Sequence, residues 1–192
     1  MRKLAYYIAT SIDGFIAAPD GDGTVYPISE GFTRFTAAEY PETLPTHVRA
    51  LLGIENAENV RFDTVVMGRR TYDPALQIDI TSPYAHLRQY VFSRSLTESP
   101  DPAVEIVSGD AVAKVRELKA EDGGLDIYLC GGADLAGQLR DEIDELLVKT
   151  YPVVLGEGIP MFSPEFGALG FEMTGHRAFD DGLIFATYTR KR

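Results

Sequence analysis

Three short segments of this 192-residue chain place anion-binding groups where apolar runs end. Gly68, Arg69, Arg70 and Thr71 follow "DTVVM", Ser93, Arg94 and Ser95 follow "RQYVF", and Gly131–Gly132 follows "DIYLC" and leads into "ADLAGQL". Guanidinium forks and small hydroxyls suit phosphate oxygens. A helix beginning just after a glycine pair turns its free N–H groups toward an anion. Two adjacent glycines at the end of a buried strand cost backbone entropy. They mark a tight turn, a close helix–strand contact, or a ligand pressed on bare backbone. In open α/β sheets, ligands gather at the carboxyl ends of parallel strands. Read together, the three ends offer a diphosphate site at Gly131–Gly132, a second phosphate site at Arg69 or Arg70 with Thr71, and a third contact at Ser93–Arg94. Three phosphates and a flat ring are what NADPH presents, the third being its 2′-phosphate. The pattern differs from GxGxxG, and no such motif follows the first strand.

The elements that must position these groups follow from periodicity. "KLAYYIAT" (3–10) reads as a strand, followed by the loop "SIDGFIAAPDGDG". Residues 26–62 are proline-broken and mostly helical, with 46–60 the clearest helical piece. The β-branched run at 63–68 predicts a buried central strand, and 88–93 and 103–107 predict two more. Asp110 is placed to cap a helix whose stripe is Val112, Val115 and Leu118. "GLDIYLCG" is another buried strand, and "GADLAGQLRDEI" presents Leu135, Leu139 and Ile143 on one helical face. The last 50 residues change character: "DELLVKTYPVVLG", "GFEMTGHRAF" and "GLIFATYTRK" read as strands, with "DDG" at 180–182 turning a hairpin between the final two. Alternating β and α units imply parallel strands, closed by an antiparallel end.

Composition narrows the function. Eighteen basic against 29 acidic residues give a formal charge of −11, which argues against a general nucleic-acid-binding role but permits an anionic small molecule held by a few local arginines. No apolar run approaches the roughly 20 residues that span a bilayer. The start has a basic n-region, but Asp13 interrupts the apolar stretch that follows, and Leu4, Tyr6 and Ile8 alternate as in a strand; a cytoplasmic location is expected. The single cysteine, Cys130, excludes an internal disulfide and any multi-cysteine zinc site, and its apolar setting reads as a packing role. His47, His86 and His176 lack metal-ligand spacing, so no metal is expected. The length fits one domain, with a small-molecule substrate and a homodimer as the expected partners.

In order and spacing, "TSIDGFIA" (10–17), "VVMGRRTYD" (65–73), "YVFSRSL" (90–96) and the block from 127 to 162 resemble the dihydrofolate reductase-like superfamily. Within it, the chain is most similar to the reductase half of the bifunctional riboflavin-biosynthesis deaminase–reductase and its stand-alone relatives. The resemblance implies an α/β fold: a central mixed, mostly parallel twisted sheet with flanking helices and an antiparallel C-terminal hairpin. It implies a cis peptide at Gly131–Gly132, with Gly132, Ala133, Asp134, Leu135 and Ala136 along the cofactor diphosphate. Gly68, Arg69, Arg70 and Thr71 correspond to the segment for the adenosine phosphates. Ser93 and Arg94 correspond to the residues around the adenine and 2′-phosphate, and Ala9, Thr10, Ile16 and Ala17 to those beside the nicotinamide. The activity implied is NADPH-dependent hydride transfer to a C=N or C=O carbon of a small heterocycle, nominally the 5-amino-6-(5-phosphoribosylamino)uracil type. Dihydrofolate reduction and a catalytically inactive NADP-binding role are the alternatives. Asp13, beside Gly14 at the start of a loop able to close, is the candidate catalytic residue, although Asp-Gly is also a common turn pair. The chain departs from its relatives in two places. The helix carboxylate of dihydrofolate reductases has no single counterpart among Glu39, Glu42 and Glu55. Cys130 stands where the riboflavin-pathway reductases carry a glutamate. The zinc deaminase pattern is absent from this sequence.

Overall fold

The computed structural model describes residues 1–163 and 167–191. Its centre is an apolar strand, β1 (Leu4–Thr10), in which Leu4, Ala5, Tyr6 and Tyr7 are all buried. A strand with no polar alternation must be covered on both faces, as in the middle of an α/β sheet. β1 runs parallel to β6 (Asp126–Gly131) on one side and to β7 (Glu145–Thr150) on the other. Outward from β6 follow β3 (Phe62–Gly68), β4 (Arg88–Phe92) and β5 (Val104–Val107), all parallel. Outward from β7 lie β10 (Ile184–Arg190) and β9 (Phe171–Ala178), paired antiparallel. The order across the eight strands is β5-β4-β3-β6-β1-β7-β10-β9. The expected mixed, mostly parallel sheet with an antiparallel C-terminal hairpin is therefore present. Its turn falls at 180–182, where Gly182 takes φ 87° and its N–H bonds to Phe179 O.

Two cores cover the faces. On one, Ala5, Tyr7, Val65, Met67, Tyr128, Leu147 and Phe185 pack with Phe32 of α1 (Glu30–Glu39) and Tyr72 of α3 (Arg69–Leu76). On the other, Leu4, Tyr6, Val66, Ile127 and Leu129 pack against α4 (Ala111–Ala120) and α5 (Ala133–Gln138). Asp110 caps α4, accepting from Val112 N at 2.8 Å and Ala113 N at 3.2 Å. Leu135, Leu139 and Ile143 are all buried, although the helix proper stops at Gln138 and a 3₁₀ turn carries the stripe onward.

The structure departs from the periodicity reading in four places. Helix α2 is only Thr46–Leu51, because Gly53 leaves the helix with φ 69° and the chain to residue 60 runs in turns. The segment after Gly68 is a helix, α3. The strand beginning at Glu145 stops at Thr150, just before Tyr151–Pro152. Within the loop after β1, β2 (Phe15–Ala17) forms a two-stranded ribbon with β8 (Ile159–Pro160).

Candidate functional site

Because β4, β3, β6, β1 and β7 are parallel neighbours, their carboxyl ends lie along one sheet edge, and Ser93, Gly68, Gly131, Thr10 and Thr150 come together there. The Gly131–Gly132 peptide is cis, as the resemblance implied, and Gly131 takes φ 119°, a conformation that only glycine adopts without strain. The pair also packs closely against β3: a Cβ on Gly68 would lie 3.7 Å from both Gly131 O and Gly132 N. A Cβ on Gly132 would sit 3.7 Å from Thr71 Oγ1. Thr71, in the first turn of α3, therefore stands directly against the second glycine. Ala133, Leu135 and Ala136 are buried, so of the segment 132–136 it is backbone, together with the exposed Asp134 side chain, that is presented outward. The Asp134 carboxylate accepts from Ser163 Oγ and lies 3.8 Å from Arg70 Nη1, linking the first turns of α3 and α5.

The two arginine-bearing ends meet as well. Arg69 bonds within its own helix to Asp73 (Nε to Oδ1, 3.2 Å) and donates from Nη1 to Ser95 Oγ at 3.0 Å. Ser93 is buried, and its Oγ accepts from Leu96 N at 2.9 Å and Ser95 N at 3.3 Å, so this hydroxyl shapes the turn. Arg94, exposed between them, has no hydrogen-bond or ionic partner among the described residues.

The loop side is built on Ser11, whose N–H bonds to Phe15 O and whose hydroxyl accepts from Phe15 N, with Gly14 at φ 88° making the turn. Asp13 sits at this tip, fully exposed. Its carboxylate accepts from Leu155 N at 3.1 Å and Gly156 N at 2.7 Å. The Ser11 hydroxyl first, then these amides, hold its carboxyl down at about 2, so at neutral pH Asp13 is a carboxylate that ties two loops together and holds no proton. Thr10 O accepts from Tyr151 N, and Ile16 and Ala17 lie on β2, against β8. Of the candidate carboxylates beyond the loop, Glu42 is buried at the opposite edge, accepting from Arg61 N and Phe62 N at the start of β3. Glu39 and Glu55 are exposed, and the α1 side chains buried toward the sheet are Phe32 and Thr36.

Cys130, one residue before the glycines, is bracketed by Tyr128 OH at 3.2 Å and Tyr84 OH at 3.5 Å, and burial pushes its thiol up. This is the packing role expected of it. Sequence reasoning missed Lys149. It lies on β7 level with Ala9 of β1 and Phe185 of β10. The available signal was a lone cation directly after the apolar run "LLV", at the position two past Leu147, so that both point to the same face. A groove of about 700 Å³ between α1 and the β9–β10 turn, lined by Arg34, Phe35, Arg177 and Asp180 among others, involves a strand four places from β6 and is separate from the glycine pair.

This fold, with a cis glycine pair at the end of a central parallel strand and arginine-bearing ends beside it, defines a protein of the dihydrofolate reductase-like class. The chain belongs to the RibD C-terminal domain family, whose model matches residues 2–185. It is 31% identical over 184 residues to the uncharacterized protein YwjB of Bacillus subtilis, covering 95% of each chain. It is 26% identical to the uncharacterized protein YyaP of the same organism, covering 97% of this chain and 94% of YyaP. Among solved structures, a putative riboflavin biosynthesis protein from Shewanella sp. PV-4 superposes with TM-score 0.71 at 29% identity over the whole of both chains. A diaminohydroxyphosphoribosylaminopyrimidine deaminase/5-amino-6-(5-phosphoribosylamino)uracil reductase from Thermotoga maritima shares the fold, with TM-score 0.63 at 16% identity. The match covers 99% of this chain and 57% of that one.

Proposed function

We propose that this protein is an NADPH-dependent reductase of a small heterocycle, nominally acting on a 5-amino-6-(5-phosphoribosylamino)uracil-like substrate. The observation that carries the reading is the meeting of three strand ends: Thr71 against Gly132, Gly68 against Gly131–Gly132, and Arg69 bonded to Ser95. The cradle fits a dinucleotide. Bare glycine backbone leaves room for a diphosphate beside the Thr71 hydroxyl, and Arg70 is near enough to offset the Asp134 charge. Arg69 and Arg94, the latter unpartnered among the described residues, supply cations for a 2′-phosphate. Family membership supports a reductase of the riboflavin type.

Bound NADPH would supply the hydride; the chain supplies position and solvent exclusion. Ala9 and Thr10 end β1 next to the glycine pair and would form the floor for the nicotinamide. Ile16 and Ala17 would wall it from the loop side, and Asp13 holds that loop to residues 155 and 156. As part of this reading the protein is a homodimer: among the described residues β9 ends the sheet with an unpaired edge and an exposed Met173, and sedimentation velocity would test this.

The test of the main reading is titration of the purified protein with NADPH and NADH, followed by fluorescence of the reduced nicotinamide. NADPH-selective binding is expected. Binding of neither would overturn the reductase reading.

A further inference from the structure

Lys149 stands in an unusual place for an ammonium group. Its β7 position is level with Ala9 and Phe185, and Tyr7 is level with Leu147, so Lys149 shares its sheet face with Tyr7, Leu147 and Phe185. Nζ lies 4.4 Å from the centroid of the Tyr7 ring and 5.8 Å from that of Phe32. Among the described residues no carboxylate pairs with it and no hydrogen bond holds it. On the neighbouring strand the residue level with it, Ala9, carries only a methyl, and Lys149 itself is half-buried near the carboxyl end of β7.

We propose that Lys149 faces the reacting heteroatom of the substrate and gives it a proton as the adjacent carbon takes hydride. The proposal rests on the reductase reading. The substrate carbon accepts hydride from NADPH, which leaves as NADP⁺. The C=N or C=O π pair moves onto nitrogen or oxygen, that atom takes a proton from Nζ, and the neutral amine regains its proton from water.

The other ionisable groups nearby are unsuited to this step. Tyr7 faces Lys149 from β1, Cys130 from β6, and Phe32 and Phe185 from α1 and β10; Tyr40 and Tyr151 also neighbour Tyr7. The Tyr7 phenol and the Cys130 thiol are both pushed up by burial. Cys130 is enclosed by two tyrosine hydroxyls, and Asp13 is already ionised. Burial lowers Lys149 to about 8, close to the pH at which a general acid works best.

The test uses the intact protein and two readouts. Trace acetylation with acetic anhydride from pH 6 to 11, mapped by mass spectrometry, is run with and without NADPH. Lys149 is expected to react with a midpoint near pH 8, below the 10.5 of an ordinary lysine, and bound NADPH is expected to slow it several-fold. In parallel, NADPH oxidation with 5-amino-6-(5-phosphoribosylamino)uracil is followed for wild type, Lys149→Met and Lys149→Arg. A drop in kcat of about 10²–10⁴ is expected for Lys149→Met, with KM and NADPH affinity little changed and no rescue by arginine. An ordinary lysine midpoint, acetylation indifferent to bound NADPH, or wild-type turnover by Lys149→Met would each overturn the proposal while leaving the reductase reading intact. Where wild type binds NADPH but does not reduce that uracil, the acetylation profile and its protection decide. Failure of wild type to bind NADPH would remove the reductase reading, and the proposal with it.

Discussion

The carboxylate of Asp13 accepts a hydrogen bond from the backbone N–H of Gly156 at 2.7 Å, which fastens the turn after β1 to the loop after β7. A second bond from Leu155 N completes the clamp. Asp13→Ala leaves both amides to water and loosens the two loops together. Hydrogen exchange at residues 153–158 should speed up at neutral pH, and KM for substrate should rise more than Kd for NADPH. The carboxyl is held below its ordinary value, so the clamp is complete above pH 3.8 and is lost as the pH falls through about 2. Unchanged exchange at 153–158 in Asp13→Ala would sink this account.

In the proposed reading Arg69 and Arg94 face the same 2′-phosphate from different starting points. Arg69 is already bonded to Ser95, whereas Arg94 is exposed and unpartnered among the described residues. A charge-assisted hydrogen bond to phosphate contributes about 1.5–3 kcal/mol. Arg94→Ser should therefore weaken NADPH binding by roughly ten- to a hundredfold while changing NADH affinity by about twofold or less. Arg69→Ser should also weaken NADPH more than NADH, but should in addition loosen the turn at Ser95. Equal losses for both nucleotides in both variants would rule out a 2′-phosphate site at this end of the sheet.

Gly158 secures the β2–β8 ribbon by having no side chain. A Cβ there would lie 2.3 Å from Ala17 O and 3.2 Å from Phe15 Cβ, backbone and near-backbone atoms that cannot swing away. Gly158→Ala should destabilise the protein by about 1–3 kcal/mol, the usual range for overpacking, measured by urea denaturation. Gly109→Ala is the control: nothing lies within 4 Å of its Cβ position and its φ is not positive. A near-neutral Gly158→Ala would mean the ribbon simply moves aside.

Much of this was legible in the sequence because the signals were strong and local. The β-branched run before Gly68, the Asp110 cap and the 180–182 turn each announce an element through its own residues, and the meeting of the three strand ends follows once those strands are parallel neighbours. Helix α3 was obscured because it begins at Arg69 without a capping side chain and carries Pro74 inside, with Tyr72 its single buried residue. The β2–β8 ribbon was too short to show periodicity. The roles of Asp13 and Lys149 depend on tertiary partners, the amides of 155 and 156 and the rings of Tyr7 and Phe32, which lie far away in sequence.

Lys149 should also show itself in stability. Its proton affinity falls from the ordinary 10.5 to about 8 on folding, because burial disfavours the charge. A tenfold change in proton affinity corresponds to about 1.4 kcal/mol, so the charged lysine carries a penalty on the order of 3 kcal/mol, and the face of the Tyr7 ring returns about 0.5–2 kcal/mol of it. The sign follows from proton binding: between pH 8 and 10.5 the unfolded chain holds more protons than the native state, so stability rises with pH across that window. Below pH 8 the full penalty applies. Methionine keeps the length and apolar bulk without the charge, so Lys149→Met should be more stable than wild type by about 1–2 kcal/mol at pH 7. The gap should close as the pH approaches 10.5. Urea denaturation of both proteins at pH 7 and pH 10 measures it. A gap that is the same at both pH values would come from packing, and a Lys149→Met protein less stable at pH 7 would mean that the aromatic faces outweigh burial and that the ammonium belongs there for structural reasons.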